Sequence, residues 1–165
     1  MWTGLRVSDF LSLPDIQLDD EFITVQPKKT LNSSAIKVII PLHHHIKEVI
    51  EKRGMPRMIS DVNFNLYFKE VCEKIGLTKL VKGSLMNPEK KRKEVGMYPK
   101  YKLVSSHTCR RSFATNLYKS NFPTLSIMKI TGHTTEKSFL TYIKVTPKEH
   151  AEKLLSHWNE YYANK

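Results

Sequence analysis

Apolar positions fall into helical spacing along most of the chain, with two short β-rich runs between residues 22 and 40. Val7, Phe10, Leu11 and Leu13 predict a short helix over 7–13, which Pro14 ends. Phe22 to Val25 and Ile36 to Ile40 are β-rich runs, and the polar stretch from Lys28 to Ser34 joins them as a hairpin. Leu42 to Arg53 reads as a helix with Ile46, Val49 and Ile50 on one face, broken by Gly54 and Pro56. Val62 to Ile75 is a stronger helix, in which Phe64, Phe68, Val71 and Ile75 are spaced for one buried stripe, and Gly76 stops it. The pattern weakens from Leu77 to Leu103, where Leu80-Val81 and Tyr101 to Val104 read as strands around a basic loop at 88–93.

Helical spacing then returns. Ser105 or Ser106 caps a helix reaching about Lys119, Pro123 opens another that ends at Gly132, and Glu136 to Ile143 forms a third. Thr146, Pro147 and Glu149 supply a cap, a first-turn proline and a capping-box acid. They start a last helix with Ala151, Leu154, Leu155 and Trp158 on its apolar side, a stripe that needs cover from its own core or from another protomer. The sum is an α+β domain, mainly α-helical with a small antiparallel β-sheet.

Composition narrows the class. The 165 residues suffice for one domain with a real core, and 40% hydrophobic content is that of a globular chain. Lys and Arg number 27 against 16 Asp and Glu, a net charge of +11, which argues for a polyanionic partner, nucleic acid before acidic membrane. Cys72 and Cys109 make no disulfide framework, so a reducing cytoplasm is the simplest setting. No apolar run approaches a membrane span. No glycine-rich phosphate loop is present, so a nucleotide cofactor is not expected. His43-His44-His45 is not read as a metal site, because consecutive histidines do not face one ligand and no cysteine or carboxylate cluster accompanies them. The run Lys90, Lys91, Arg92 and Lys93 reads either as a solvated loop or as a DNA-backbone contact.

Four short pieces carry the candidate chemistry: Thr3 to Asp9 with Arg6 inside it, Lys28-Lys29-Thr30, His107-Thr108-Cys109-Arg110, and Gly132-His133 with Tyr142 nine residues beyond the histidine. Together they form a kit for attacking a phosphodiester without metal. Guanidinium forks such as Arg6 and Arg110 match the non-bridging oxygens of a pentacoordinate phosphorus and stay charged. Tyr142 is the candidate nucleophile; its phenol needs help at neutral pH, which nearby arginines and a histidine can give. His107 lies three residues before Arg110, so a helix puts both on one face. His133 follows a glycine at a helix end, where backbone can approach a ligand. Lys28 and Lys29 compete to protonate the departing oxygen. Asp9 stands one turn from Arg6 and can hold its guanidinium, and Arg111 is a structural residue or a phosphate contact.

In order, spacing and neighbouring residues these pieces resemble the tyrosine recombinases, the integrases of phages and transposons, from Thr3 to about Glu149. Thr108, Ser112, Phe113, Ala114 and Thr115, and Tyr142-Ile143-Lys144-Val145 before a capped helix, look like the integrase version found in bacterial mobile elements. The resemblance fills the catalytic set with Arg6, Lys29, His107, Arg110, His133 and Tyr142. It selects Lys29 over Lys28 because a lysine directly before threonine matches, and it makes Asp9 a support; Lys28, Arg111 and the run at 90–93 are left as DNA contacts. It implies site-specific recombination of double-stranded DNA through a 3′-phosphotyrosine, with no ATP, cofactor or divalent metal, by a homotetramer on DNA inside the bacterial cytoplasm at the nucleoid. It also implies that a DNA-clamping domain and one catalytic helix lie upstream, so that these 165 residues are a catalytic-domain fragment, a monomer when isolated. Two alternatives stand beside it. One is a type IB topoisomerase, disfavoured by the short His-to-Tyr spacing and the terminal helix. The other is a DNA-binding regulator without activity, disfavoured by the complete residue set.

Overall fold

The computed structural model describes residues 2–11, 13, 20–28 and 37–163. A short helix α1 (Val7–Phe10) leads into strands β1 (Phe22–Val25) and β2 (Val38–Pro41). Helices α2 (His44–Arg53) and α3 (Asp61–Lys74) follow. Strands β3 (Leu80–Asn87) and β4 (Arg92–Pro99) come next, then α4 (Lys100–Leu103), α5 (Ser106–Lys119), α6 (Thr124–Thr131), α7 (Glu136–Ile143) and α8 (Pro147–Ala163). Among the described residues no helix is long and apolar enough to cross a membrane.

Two hydrophobic clusters organise the domain. The first gathers Leu5, Ile23, Val25, Val38, Ile40 and Leu42, with Phe10, Leu13, Ile46 and Ile130 packed against it. It exists because β1 and β2 pair antiparallel, Ile23 opposite Ile40 and Val25 opposite Val38, which turns all four side chains to one face. The second gathers Ala114, Ile127, Met128, Phe139 and Ile143 from α5, α6 and α7. Helix α6 belongs to both, giving Ile127 and Met128 to the second and Ile130 to the first. The seam between the clusters is where the candidate chemistry converges.

The C-terminal helices follow their sequence signals closely. Ser105 caps α5 in a reciprocal box with Thr108, Thr135 caps α7 through the Ser138 amide, and Gly132 closes α6 in the left-handed conformation at φ 60°.

Several expectations need correction. The region 80–103 holds a second antiparallel sheet, β3 with β4, in register from Leu80 opposite Pro99 to Asn87 opposite Arg92. Tyr101 to Leu103 is helical in α4 rather than a strand, because the chain has left the sheet at Pro99 and turns back on α3. The basic run is accordingly the hairpin tip and the start of β4, and Lys91 takes the turn at φ 48°. In α3 the inward stripe is Phe64, Phe68 and the buried Cys72, whereas Val71 and Ile75 are exposed. A spacing of four at each step keeps that stripe in line, and Val71 falls to one side of it. In α2, Ile46 and Ile50 are half-buried while Val49 is exposed. On the apolar side of α8, Leu154, Leu155 and Trp158 are 48%, 56% and 51% exposed, so the described residues cover it only in part.

Candidate active site

The site is built on Arg110, a charged residue only 6% exposed. Its Nη1 donates to the Gly4 carbonyl at 2.6 Å and its Nη2 donates to the Thr131 carbonyl. Three distant pieces of chain thereby meet on one guanidinium. Burial pulls the Arg110 pKa down to about 10, helped by neighbouring Arg6 and opposed by Tyr142 and Asp9. At neutral pH the group remains a cation.

Gly4 explains how the first motif reaches that cation. It holds φ at 61°, and a Cβ there would lie 2.4 Å from Cδ1 of Phe113 on α5. Only glycine lets the backbone turn this closely against α5 and aim its carbonyl at Arg110. Arg6 follows at the N-cap of α1, its guanidinium beside Gly132, where an added Cβ would lie 3.7 Å from both terminal nitrogens. Asp9 is 2% exposed; its Oδ2 stands 3.8 Å from Arg6 Nη1 and its Oδ1 accepts the Lys28 amide at 3.0 Å. The expected support for Arg6 therefore has a second hold, on the backbone that leads to Lys29. Lys29 itself, with most of the loop expected at 28–34, lies outside the described residues. Lys28 is exposed.

Tyr142 sits on α7 between Phe139 and Ile143, whose burial anchors the helix and fixes the phenol at the seam. Its ring lies 4.8 Å from His133 and 5.0 Å from His107, centroid to centroid, the latter edge to face. Its hydroxyl donates to the His107 carbonyl at 3.5 Å. The expected help from the arginines is present but outweighed. Burial raises the phenol pKa, while Arg110, Arg111 and Arg6 act in the opposite direction, and the balance is upward. A phosphate entering the site would bind the same arginines, so the phenol needs a base to lose its proton.

Both histidines are pushed toward the neutral form. His133 falls to about 4 through burial first, then Arg110, Arg6 and His107. His107 moves down as well, through burial, Arg111 and Arg110. A neutral imidazole beside a phenol is a proton acceptor. Arg6, His107, Arg110, His133 and Tyr142 thus share one site, with Asp9 behind Arg6. Arg111 lies next in sequence on α5, half-buried.

Lys90, Lys91, Arg92 and Lys93 are exposed at the β3–β4 tip, where Lys90 Nζ pairs with Glu94 at 2.7 Å. The three consecutive histidines do converge, contrary to the expectation: one nitrogen from each lies within 4.8 Å of the others. His43 Nδ1 accepts the His45 amide at 3.2 Å as the cap of α2, and its ring stacks on Trp2 at 3.9 Å. His45 faces Glu48 at 3.5 Å. The cluster caps and stacks at a helix N-terminus, an end whose dipole disfavours a cation. Thr131, whose carbonyl holds Arg110, had no marker in the sequence beyond lying at i+4 from the apolar Ile127 and next to the Gly132 stop.

Two arginines, two histidines and one tyrosine, Arg6, Arg110, His107, His133 and Tyr142, thus converge in a small, mainly helical domain. Residues 1–149 match the model of the phage integrase family, and the chain belongs to that family. It is 27% identical over 152 residues to the tyrosine recombinase XerD of Listeria monocytogenes, covering 87% of this chain and 47% of that protein. Among solved structures it resembles the XerA recombinase, with TM-score 0.65 and 16% identity over 94% of this chain and 54% of the other. It also resembles the Tn1549 transposon integrase in complex with circular intermediate DNA, with TM-score 0.59 and 16% identity over 94% and 56% of the two chains. The chain spans about half the length of the curated relatives it matches.

Proposed function

We propose that this chain is the catalytic portion of a site-specific DNA recombinase that integrates or excises a mobile element. The observation that carries the reading is the convergence of Arg6, Arg110, His107 and His133 on Tyr142. Arg6 and Arg110 hold the non-bridging oxygens of the scissile phosphate. Tyr142 Oη attacks phosphorus as His133 takes its proton, and the P–O5′ bond breaks with a proton delivered by Lys29. The products are a 3′-phosphotyrosine and a 5′ hydroxyl. A 5′ hydroxyl from a partner strand then attacks the phosphotyrosine and returns the tyrosine. The covalent link conserves the bond, so the cycle needs no high-energy cofactor. Preorganised donors of this kind each contribute about 3 kcal/mol to transition-state stabilisation.

The substrate in this reading is double-stranded DNA at a specific site, gripped through phosphate contacts that include Lys28, Arg111 and the β3–β4 tip. The +11 charge supports it, as does the DNA-bound state of the Tn1549 integrase. The assembly is a homotetramer on DNA, and the exposed apolar side of α8 is consistent with a contact between protomers. The place of action is the bacterial cytoplasm, at the nucleoid.

The test is trapping on a nicked suicide substrate with the full-length protein. A denaturing gel should show a slow covalent adduct for the parent and none for Tyr142→Phe, with DNA binding retained by both. An adduct in the Phe variant would exclude Tyr142 and turn attention to Tyr118 or Tyr161. Plasmid relaxation without recombination would identify a topoisomerase instead.

A further inference from the structure

Thr131 is 1% exposed at the end of α6, and a hydroxyl buried that deeply has to be hydrogen-bonded. It has one proton to give and lone pairs to receive with. The proton goes to the Ile127 carbonyl at 2.6 Å, one turn back; the Met128 carbonyl, at 3.5 Å, is the poorer acceptor. His133 Nδ1 lies 2.8 Å from the same hydroxyl oxygen. A carbonyl can only accept, so the hydroxyl is already spent as a donor. The remaining contact is satisfied only if the imidazole donates, which places the ring proton on Nδ1 and leaves Nε2 with its lone pair. The main-chain oxygen of Thr131 meanwhile receives Arg110 Nη2. One buried residue thus holds two of the groups gathered around Tyr142, each through a different oxygen.

We propose that Thr131 is a positioning residue of this site: its hydroxyl locks His133 in the Nδ1–H tautomer, so that Nε2 is the bare acceptor for the Tyr142 proton. The catalytic consequence rests on the recombinase reading; the tautomer does not. In the attack step the Tyr142 proton moves to Nε2 while the P–Oη bond forms and the P–O5′ bond breaks, and the resulting imidazolium keeps its Nδ1–H bond to Thr131. In the other tautomer Nε2 carries a proton, and that nitrogen can only donate. The fold supplies the remaining restraint, since the His133 ring meets Phe139 edge to face at 5.5 Å and Tyr142 at 4.8 Å. Gly132 sets the approach: its left-handed turn sends the His133 amide to the Met128 carbonyl at 2.9 Å, which returns the ring toward Thr131. A purely structural threonine, back-bonded to Ile127, would lose little on becoming valine, which keeps the shape and the main-chain carbonyl.

The experiment is long-range proton–nitrogen NMR on full-length protein labelled at histidine nitrogen, with the His133 signals assigned by their loss in His133→Gln. The parent should show a protonated Nδ1 and an unprotonated Nε2. Thr131→Val should lose that pattern, through exchange between tautomers or a switch to Nε2–H, and Thr131→Ser should restore it. Adduct formation on suicide DNA should fall about 10- to 100-fold in Thr131→Val, the range found when the hydrogen-bond partner that orients a metal-bound histidine is removed, and recover in Thr131→Ser. An Nε2–H tautomer in the parent overturns the proposal outright, whether or not the valine variant folds. So does a valine variant that keeps both the parent tautomer and the parent rate. A parent with the expected tautomer and no adduct would remove the recombinase reading while the tautomer assignment stands.

Discussion

Arg110 and Gly4 are 106 residues apart in sequence, yet the guanidinium Nη1 of one donates to the carbonyl of the other at 2.6 Å. The contact requires backbone that only glycine adopts without strain, packed against the Phe113 ring. Gly4→Ala combines a left-handed alanine with a methyl group driven into that ring. It should destabilise the domain by about 2 kcal/mol or more. Because the strain falls on the carbonyl that holds Arg110, the rate of adduct formation should fall further than the lost stability accounts for. Thermal melting and single-turnover trapping, run below the variant's melting temperature, check both. A variant with parental melting would show that α5 tolerates the methyl and that the Gly4 turn is looser than described.

The leaving-group step gives a test of Lys29 that does not depend on its placement. A 5′-phosphorothiolate is a good leaving group and needs little protonation. With that substrate Lys29→Ala should recover cleavage, whereas Arg110→Ala should not, because the phosphate still lacks its guanidinium. Equal failure of the two variants would move the proton donor to Lys28 or His133. Asp9 belongs to the same experiment, since its carboxylate joins Arg6 to the Lys28 amide. Asp9→Ala should be rescued in part only, having disturbed both groups.

Acid should weaken this fold in a defined window. His133 is held at about 4 against its ordinary 6.5, and His107 is shifted in the same direction. The folded state thus binds fewer protons than the unfolded chain between these values, and stability falls as the pH drops through them. After allowance for solvent screening, His133 accounts for about 1–2 kcal/mol of that loss. Urea unfolding at several pH values should show the slope in the parent and a reduced slope in His133→Gln. A parent whose stability is flat between pH 6.5 and 4 would contradict the buried, arginine-flanked setting of this ring.

The legibility of these features in sequence follows the range of the forces behind them. Helices α5 to α8 are marked by local chemistry, with caps at Ser105 and Thr135, a left-handed Gly132 and a box between Thr146 and Glu149, and their boundaries follow. That His107, Arg110 and Tyr142 lie close together was legible, because helical spacing places the first two one turn apart and the chain returns with the third after Gly132. The β3–β4 ribbon was not. Its strands alternate between exposed and half-buried positions and never reach a core, so hydrophobic pattern carries little signal there. Tyr101 to Val104 has β-like composition, but contacts with α3 and the sheet decide it. The hold of Thr131 on His133 and Arg110, and the upward balance at Tyr142, depend on burial, which sequence spacing does not measure.

The last prediction concerns α8. Glu149 and Lys153 tie its first turns to α5, Glu149 through Lys119 at 2.5 Å and Lys153 through the Tyr118 carbonyl and the face of the Tyr118 ring at 3.8 Å. Beyond them Leu154, Leu155 and Trp158 are about half exposed. Polar tethers at one end and a half-exposed apolar side at the other suit a helix that finishes its packing on another molecule. In the recombinase reading that molecule is the next protomer, and such a head-to-tail contact closes into a ring only on assembly. Deletion after Val145 in the full-length protein should leave a cooperative melting transition and cleavage of a single site, while synapsis and strand exchange fail. The apolar cluster of Ala114, Ile127, Met128, Phe139 and Ile143 is complete without α8, which is why melting should survive. Loss of the cooperative transition would instead make α8 part of the fold and remove the case for exchange between protomers.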